Sequence, residues 1–364
     1  MISRLIIGAF KHIDGFLMTV MCFALLVGLA VLYSASGQDF ARVGSQVLNI
    51  VVAFAAMWVV ANIPPHHLER LALPMFIVGV LLLIGVALFG DISHGARRWL
   101  NLGVTKIQPS EIMRIAMPMM LAWFFATKEG KPRHVDFALS AVILVLPVLL
   151  IMKQPDLGTS LLVSASGFYI IFFAGLSWRI LLGGAVAVGA MMPIFWSLLH
   201  DYQRKRIEIL FDPSQDPLGA GYHTIQSVIA IGSGGFAGKG WLDGTQAQLD
   251  FLPERTTDFI FAVFSEEFGF LGNTLLLILL SLIIIRGLMI ASQAQSTFSR
   301  LLAGSITLTF ATYIFVNMGM VSGILPVVGV PLPLMSYGGT SMVTLCIGFG
   351  ILMSIQTHKK LVST

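Results

Sequence analysis

The run GFLMTVMCFALLVGLAVLY, Gly15–Tyr33, carries no charged residue and decides the fold. About 20 mostly apolar residues are needed to cross the hydrocarbon of a bilayer. Arg4 and Lys11 stand before the run, and Ser34-Ala35-Ser36-Gly37 follows it, as in a secretory leader. A leader's apolar core is shorter, about 7–15 residues, and here many further apolar runs follow. The stretch therefore reads as an uncleaved first membrane helix.

The same rule gives ten candidate spans, at 15–35, 46–63, 71–89, 110–127, 137–153, 158–175, 179–199, 258–285, 301–320 and 340–357. The expected fold is all-α: a single polytopic transmembrane domain over 1–364, with one long extracytoplasmic loop, 200–257, between the seventh and eighth helices. The eighth run begins with polar residues, so its first turns are expected outside the hydrocarbon. The long loop holds Phe211, Tyr222, Ile225, Val228, Ile229, Trp241, Phe251 and Leu252. That is too apolar for disorder, and it is expected to pack on the outer mouth of the bundle.

Composition agrees. Hydrophobic residues are 56% of the chain and charged residues 11%, against about 25% charged in an ordinary soluble chain. Net charge is +4, with the basic residues scattered singly, so no nucleic-acid tail is present. Cys22 and Cys346 lie in apolar runs near opposite ends, where core thiols rather than a disulfide are expected.

Lys and Arg in short loops set orientation. Residues 127–136 and the two ends favour a cytoplasmic N-terminus, and ten helices return the C-terminus to that side. Arg97, Arg98, Lys106, Arg114 and Lys153 then stand on the outer side against the usual bias. An anionic substrate is the simplest reason to hold cations there.

Ionisable residues in membrane spans are functional candidates by default. The first group is His94-Gly95-Ala96-Arg97-Arg98-Trp99 with Gln108-Pro109-Ser110-Glu111-Ile112-Met113-Arg114. Glu111 and Arg114 are three apart, so they share a helix face. They read either as a self-neutralising pair or as a guanidinium facing an anionic head group. The second group is Lys153-Gln154-Pro155-Asp156-Leu157-Gly158-Thr159-Ser160, good turn chemistry with more charge than a turn requires.

The third group is Leu252-Pro253-Glu254-Arg255-Thr256-Thr257-Asp258, followed two turns on by Glu266 and Glu267. Asp258 reads as a helix N-cap or as a general base at the water boundary. The fourth is Gly329-Val330-Pro331-Leu332-Pro333-Leu334-Met335-Ser336-Tyr337-Gly338-Gly339-Thr340-Ser341, a helix-breaking stretch that reads as a cavity lining or a plain loop. Two signals are rejected. Gly232–Gly240 lacks the spacing and the Ser or Thr of a nucleotide phosphate loop. His66-His67 is an isolated pair without further ligands.

In this order, His94–Trp99, Gln108–Arg114, Gln154–Ser160, Leu252–Ala262 and Pro331–Thr340 resemble the SEDS family of bacterial cell-shape and division proteins, over nearly the whole chain. The short N-terminus and Leu-Pro-Glu-Arg before Asp258 look like the rod-shape branch rather than the division branch. The resemblance implies a multi-pass inner-membrane peptidoglycan glycosyltransferase, polymerising lipid II into β-1,4 strands for cell elongation. It implies a class B penicillin-binding protein and other elongation-machinery proteins as partners. By the family's pattern Asp258 is the essential acid, and Glu111, Arg114, Lys153 and Asp156 line the central cavity. Arg114 stands where relatives often have Lys.

One inverting displacement would make the β linkage, with Asp258 as base. Arg97, Arg98, Arg114 and Lys153 would hold the pyrophosphate. Glu254, Arg255 and Ser336 complete the expected substrate contacts. A divalent cation, magnesium or manganese, would serve the leaving group, although no residue pattern assigns its ligands; no organic cofactor is expected. A lipid II flippase or a non-catalytic scaffold for a transpeptidase are the rival readings. A flippase needs charges through the full membrane depth, whereas here they gather on one side. A scaffold has no need of buried carboxylates.

Overall fold

A computed structural model of the chain describes residues 11–358, apart from 94–95, 102–105, 129, 199–200, 214–218, 249–251 and 253. Its first six helices are α1 (Gly15–Ala35), α2 (Phe40–Ala61), α3 (Pro65–Phe89), α4 (Pro109–Ala126), α5 (His134–Met152) and α6 (Leu157–Phe173). Then come α7 (Trp178–Ala190), α8 (Met192–Leu198), α9 (Asp201–Phe211), α10 (Ala220–Ser233) and the single turn α11 (Thr245–Gln248). The bundle closes with α12 (Ile260–Ser292), α13 (Thr297–Val321) and α14 (Thr340–Thr357).

Among the described residues seven helices (α1, α2, α3, α5, α12, α13 and α14) are long and apolar enough to cross a membrane. The protein is a multi-pass membrane protein. Its exterior says the same: Val135, Leu139, Val142, Val145, Leu146 and Leu149 point outward from α5. Apolar side chains on that face have no place in water but suit lipid. The most enclosed span is α13, packed among α12, α6, α4 and α14.

Helix ends are satisfied locally, as a buried backbone requires. Asp14 accepts from Leu17 N at 2.9 Å and caps α1; Asp39 caps α2 and Ser296 caps α13. The same Asp14 pairs with Arg286 of α12. The His12 and His358 rings stack with centroids 4.0 Å apart, so residues 12 and 358 lie together at one end of the bundle.

All ten expected spans coincide with helices, but three details differ. The seventh run is two helices divided at Met191. Pro193, at the second position of α8, lacks an N–H and crowds the preceding turn. Short antiparallel strands interrupt the helical fold between α3 and α4: β1 (Asp91–Ser93) pairs with β2 (Ala96–Asn101), and β2 with β3 (Lys106–Ile107). The long connection after α8 is largely helical, and α10 lies against α12 and α13. Its buried side is Gly221, Thr224, Ser227 and Ala230, and Ser227 Oγ donates to Val321 O at 2.8 Å.

The eighth run is a long helix with a break inside it. Gly269 has φ 63° and ψ −160°, outside helical geometry. A 33-residue helix would extend about 50 Å at 1.5 Å per residue, well beyond a hydrocarbon core of about 30 Å. The break sets the first turns apart as a separate segment.

Candidate active site

The site grows from the segment that fails to be helical. Between α13 and α14, Pro326, Pro331 and Pro333 prevent a continuous helix. Non-helical backbone at membrane depth must be held by protein or line a cavity, and here it is held. Ser336 Oγ donates to Thr257 O and accepts from Leu332 N, both at 2.7 Å. Gln46 Nε2 donates to Ser336 O at 3.3 Å, and Gln46 Oε1 accepts from Gly338 N at 3.2 Å.

The turn before α12 is fixed by the same neighbours. Three consecutive carbonyls are taken: Thr256 O by Tyr337 N (2.8 Å), Thr257 O by Ser336 Oγ, and Asp258 O by Asn317 Nδ2 (2.8 Å). Asp258 does not cap α12, whose first flanking residue is Phe259 with no side-chain cap bond. Its carboxylate faces the broken segment instead: a Cβ on Gly329 would stand 3.4 Å from Asp258 Oδ2. Gly329 itself has φ +72°, a conformation glycine adopts without strain.

On the other side of that segment lies the start of α6. A Cβ on Gly158 would fall 2.9 Å from Val328 O, so only glycine allows this approach. Asp156 caps α6 by accepting from Thr159 N at 3.1 Å, and its second oxygen accepts from Gln108 Nε2 at 3.2 Å. Arg114 pairs with Glu111 at 2.8 Å and donates to Thr159 Oγ1 at 2.8 Å. The guanidinium carbon lies 5.4 Å from the Tyr313 ring centroid. Arg114 Nε is buried without a hydrogen-bond partner among the described residues. Arg98 closes the turn above, donating to Gln154 O (3.2 Å) and Pro155 O (2.5 Å).

Thus Arg98, Glu111, Arg114 and Asp156 gather around the start of α6, while Asp258 and Ser336 meet at the turn before α12. Three expected substrate contacts stand further out. Lys153 is exposed at the end of α5, Glu254 is exposed with Oε2 accepting from Thr257 Oγ1 at 2.8 Å, and Arg255 is half-buried. Arg97 belongs to β2, and its side chain lies outside the described residues.

An apolar groove of about 660 Å³ runs between α2, α3, α4 and α14 and ends at Gln108 and Glu111. Leu48, Val52 and Leu71 on its rim are exposed on the flank of the bundle. The groove is a slot for hydrocarbon, with charge at one end.

The glutamates deeper in α12 form a separate structure. Glu266 is fully buried. Its Oε1 accepts from Lys239 Nζ (2.6 Å), Thr245 Oγ1 (2.9 Å), Gln246 N (3.2 Å) and Ser233 Oγ (3.4 Å). Glu267 Oε1 accepts from Ser34 Oγ. The glycine-rich stretch covers both residues: a Cβ on Gly234 or Gly238 would come within 2.1 Å of the Ser265 or Glu267 carbonyl. Its glycines are there for close packing. Sequence reasoning missed this, although glycines every few residues beside buried acids were the available signal.

An apolar groove that reaches the carboxylate of a buried guanidinium–carboxylate pair defines a class, membrane proteins with charge set beside hydrocarbon-lined space. Comparison with known proteins narrows that class. The cell cycle protein family of FtsW, RodA and SpoVE matches residues 15–361. The Escherichia coli K12 peptidoglycan glycosyltransferase MrdB is 51% identical over 97% of this chain and 95% of its own length. The Helicobacter pylori J99 MrdB is 40% identical over 85% and 81%. A chain from a peptidoglycan synthase complex, described as coordinating polymerization and crosslinking, superposes with TM-score 0.82 at 32% identity, over 94% of this chain and 97% of that one. The crystal structure of Thermus thermophilus rod shape determining protein RodA gives TM-score 0.70 at 28% identity, over 94% and 96%. The chain belongs to this family of cell cycle proteins.

Proposed function

We infer that the chain is a peptidoglycan glycosyltransferase of cell elongation that polymerises lipid II at the outer face of the bacterial inner membrane, with both termini in the cytoplasm. The observation that carries the reading is the reach of the apolar groove to Glu111, the carboxylate paired with Arg114. Lipid II has that shape: a polyprenyl tail, a pyrophosphate, then sugars. The tail suits the groove, and Arg114, paired with Glu111 of its lining, suits the pyrophosphate.

The chemistry is one displacement. The 4-hydroxyl oxygen of the acceptor sugar attacks the anomeric carbon of the donor as the bond to undecaprenyl pyrophosphate breaks. An α-linked donor becomes a β-1,4 product by inversion. Asp258 takes the hydroxyl proton, a step general bases accelerate by about 10²–10⁴-fold. Arg114 and Arg98, with Arg97 and Lys153 nearer the water, stabilise the charge that grows on the pyrophosphate. Glu111 and Asp156 set these groups by holding Arg114 and Gln108.

A divalent cation, magnesium or manganese, would add to this charge stabilisation. Among the described residues no three His, Cys, Asp or Glu side chains converge. Such an ion would therefore rely on one or two boundary carboxylates, Asp258 or Glu254, with phosphate oxygens and water as its other ligands. The relative described as a chain of a peptidoglycan synthase complex supports a class B penicillin-binding protein, a transpeptidase, as partner within the elongation machinery.

The purified chain with such a partner, given labelled lipid II, tests the reading. Wild type should make polymer, and Asp258→Ala should lose at least about 10²-fold of the rate. Equal polymer from both would remove Asp258 as the base. No polymer from either, with active partner and added magnesium or manganese, would move the reading to a lipid II flippase or a scaffold.

A further inference from the structure

Asn317 is a fully buried amide in the most enclosed helix, in the run Tyr313-Ile314-Phe315-Val316-Asn317-Met318. Its Nδ2 donates twice, to Asp258 O at 2.8 Å and to Val330 O at 2.7 Å. Its Oδ1 has no hydrogen-bond partner among the described residues. An amide buried with one end unsatisfied is a poor choice for packing alone, since the orphaned group costs about 1–3 kcal/mol. The other end accounts for it. The two carbonyls also fix which way the amide points, because turning it would set Oδ1 against both oxygens.

Those carbonyls belong to the two segments that make the site. One is the residue that carries the carboxylate. The other is Val330, next to Gly329, whose Cα faces Asp258 Oδ2. A single NH2 group thus holds both Asp258 and the wall it faces. We infer that Asn317 is a positioning residue for the glycosyl transfer, setting the distance between the Asp258 carboxylate and the reacting hydroxyl without touching substrate. The inference rests on the reading of Asp258 as base. A base must come within about 2.6–3.2 Å of the atom whose proton it takes. A displacement of about 1 Å from outside the chemistry can cost about 10²-fold in rate.

The test is steady-state polymerisation by the full chain with its transpeptidase partner, over a range of lipid II concentrations. The proteins are wild type, Asn317→Asp, Asn317→Ser and Asp258→Ala. Asn317→Asp keeps the size but sets acceptors against the two carbonyls. Asn317→Ser is the milder change, keeping a donor too short to reach both. The expected result is a kcat lowered about 10²-fold in the variants that remain folded, by thermal unfolding and partner retention, with KM for lipid II unchanged. A wild-type kcat in folded Asn317→Ser, or a raised KM at wild-type kcat, overturns the positioning role. Should Asp258→Ala also polymerise normally, the reading of the base itself falls, whatever Asn317 does.

Discussion

Of the places where this molecule buries a carboxylate against a cation, two are built oppositely. Glu266 has Lys239 on it, two hydroxyls, a backbone N–H and a lid of glycines. Glu111, on the wall of an open apolar groove, has Arg114, whose Nε lacks a partner among the described residues. Burying charge is expensive in both. In the first place the surrounding loop satisfies the charge completely, and the product is rigidity. In the second the surroundings stop short, leaving a buried donor unused in a pair whose carboxylate lines the groove. The presence of a buried ion pair does not separate scaffold from site; the completeness of its hydrogen bonding does.

The comparison breaks most readily at Glu266. Glu266→Ala should lower stability by about 3–5 kcal/mol, the usual result of removing one partner of a buried pair, while polymer made per folded molecule holds steady. Chemical unfolding in detergent, with the assay normalised to folded protein, separates the two. A stable variant that has lost activity would make this pair part of the site.

Arg114→Lys should do the reverse, with a somewhat smaller effect. A lysine keeps the charge but lacks the fork that reaches Glu111 and Thr159 together. The expected loss is about 10²-fold in rate, of the order seen when one donor to a developing anion is removed. Stability should change less than in Glu266→Ala. An unchanged rate would reduce Arg114 to a structural ion pair.

Ser336→Ala is the smallest of the three. Its hydroxyl is occupied by Leu332 N and Thr257 O, so removing it should cost about 1–2 kcal/mol of stability with a modest fall in rate. A rate lost outright at unchanged stability would return Ser336 to the substrate contacts that the sequence suggests.

The spans were legible because hydrophobic length is a local property: each run had to cross the same slab, whatever its neighbours. What depends on distant neighbours was not. The strands between Asp91 and Ile107 are too short for a periodic signal. Helix α10 buries Gly221, Thr224, Ser227 and Ala230, a stripe of small and polar residues that hydropathy overlooks. Residues 98–114, 156 and 258 stood out because charge in apolar sequence is conspicuous. Asn317 is neutral, lies far along the chain from Asp258, and matters only through two backbone oxygens. A lone amide in an apolar helix was its one available signal.

The groove opens sideways, through Leu48, Val52 and Leu71, onto the flank of the bundle. A tail entering there arrives from the membrane plane, so the quantity that loads the protein is substrate per area of bilayer. Bulk lipid or detergent added at constant substrate molarity dilutes that surface density and competes for the same slot. Saturation curves for this protein should therefore collapse onto one line when plotted against mole fraction in the membrane or micelle, and spread apart when plotted against molar concentration.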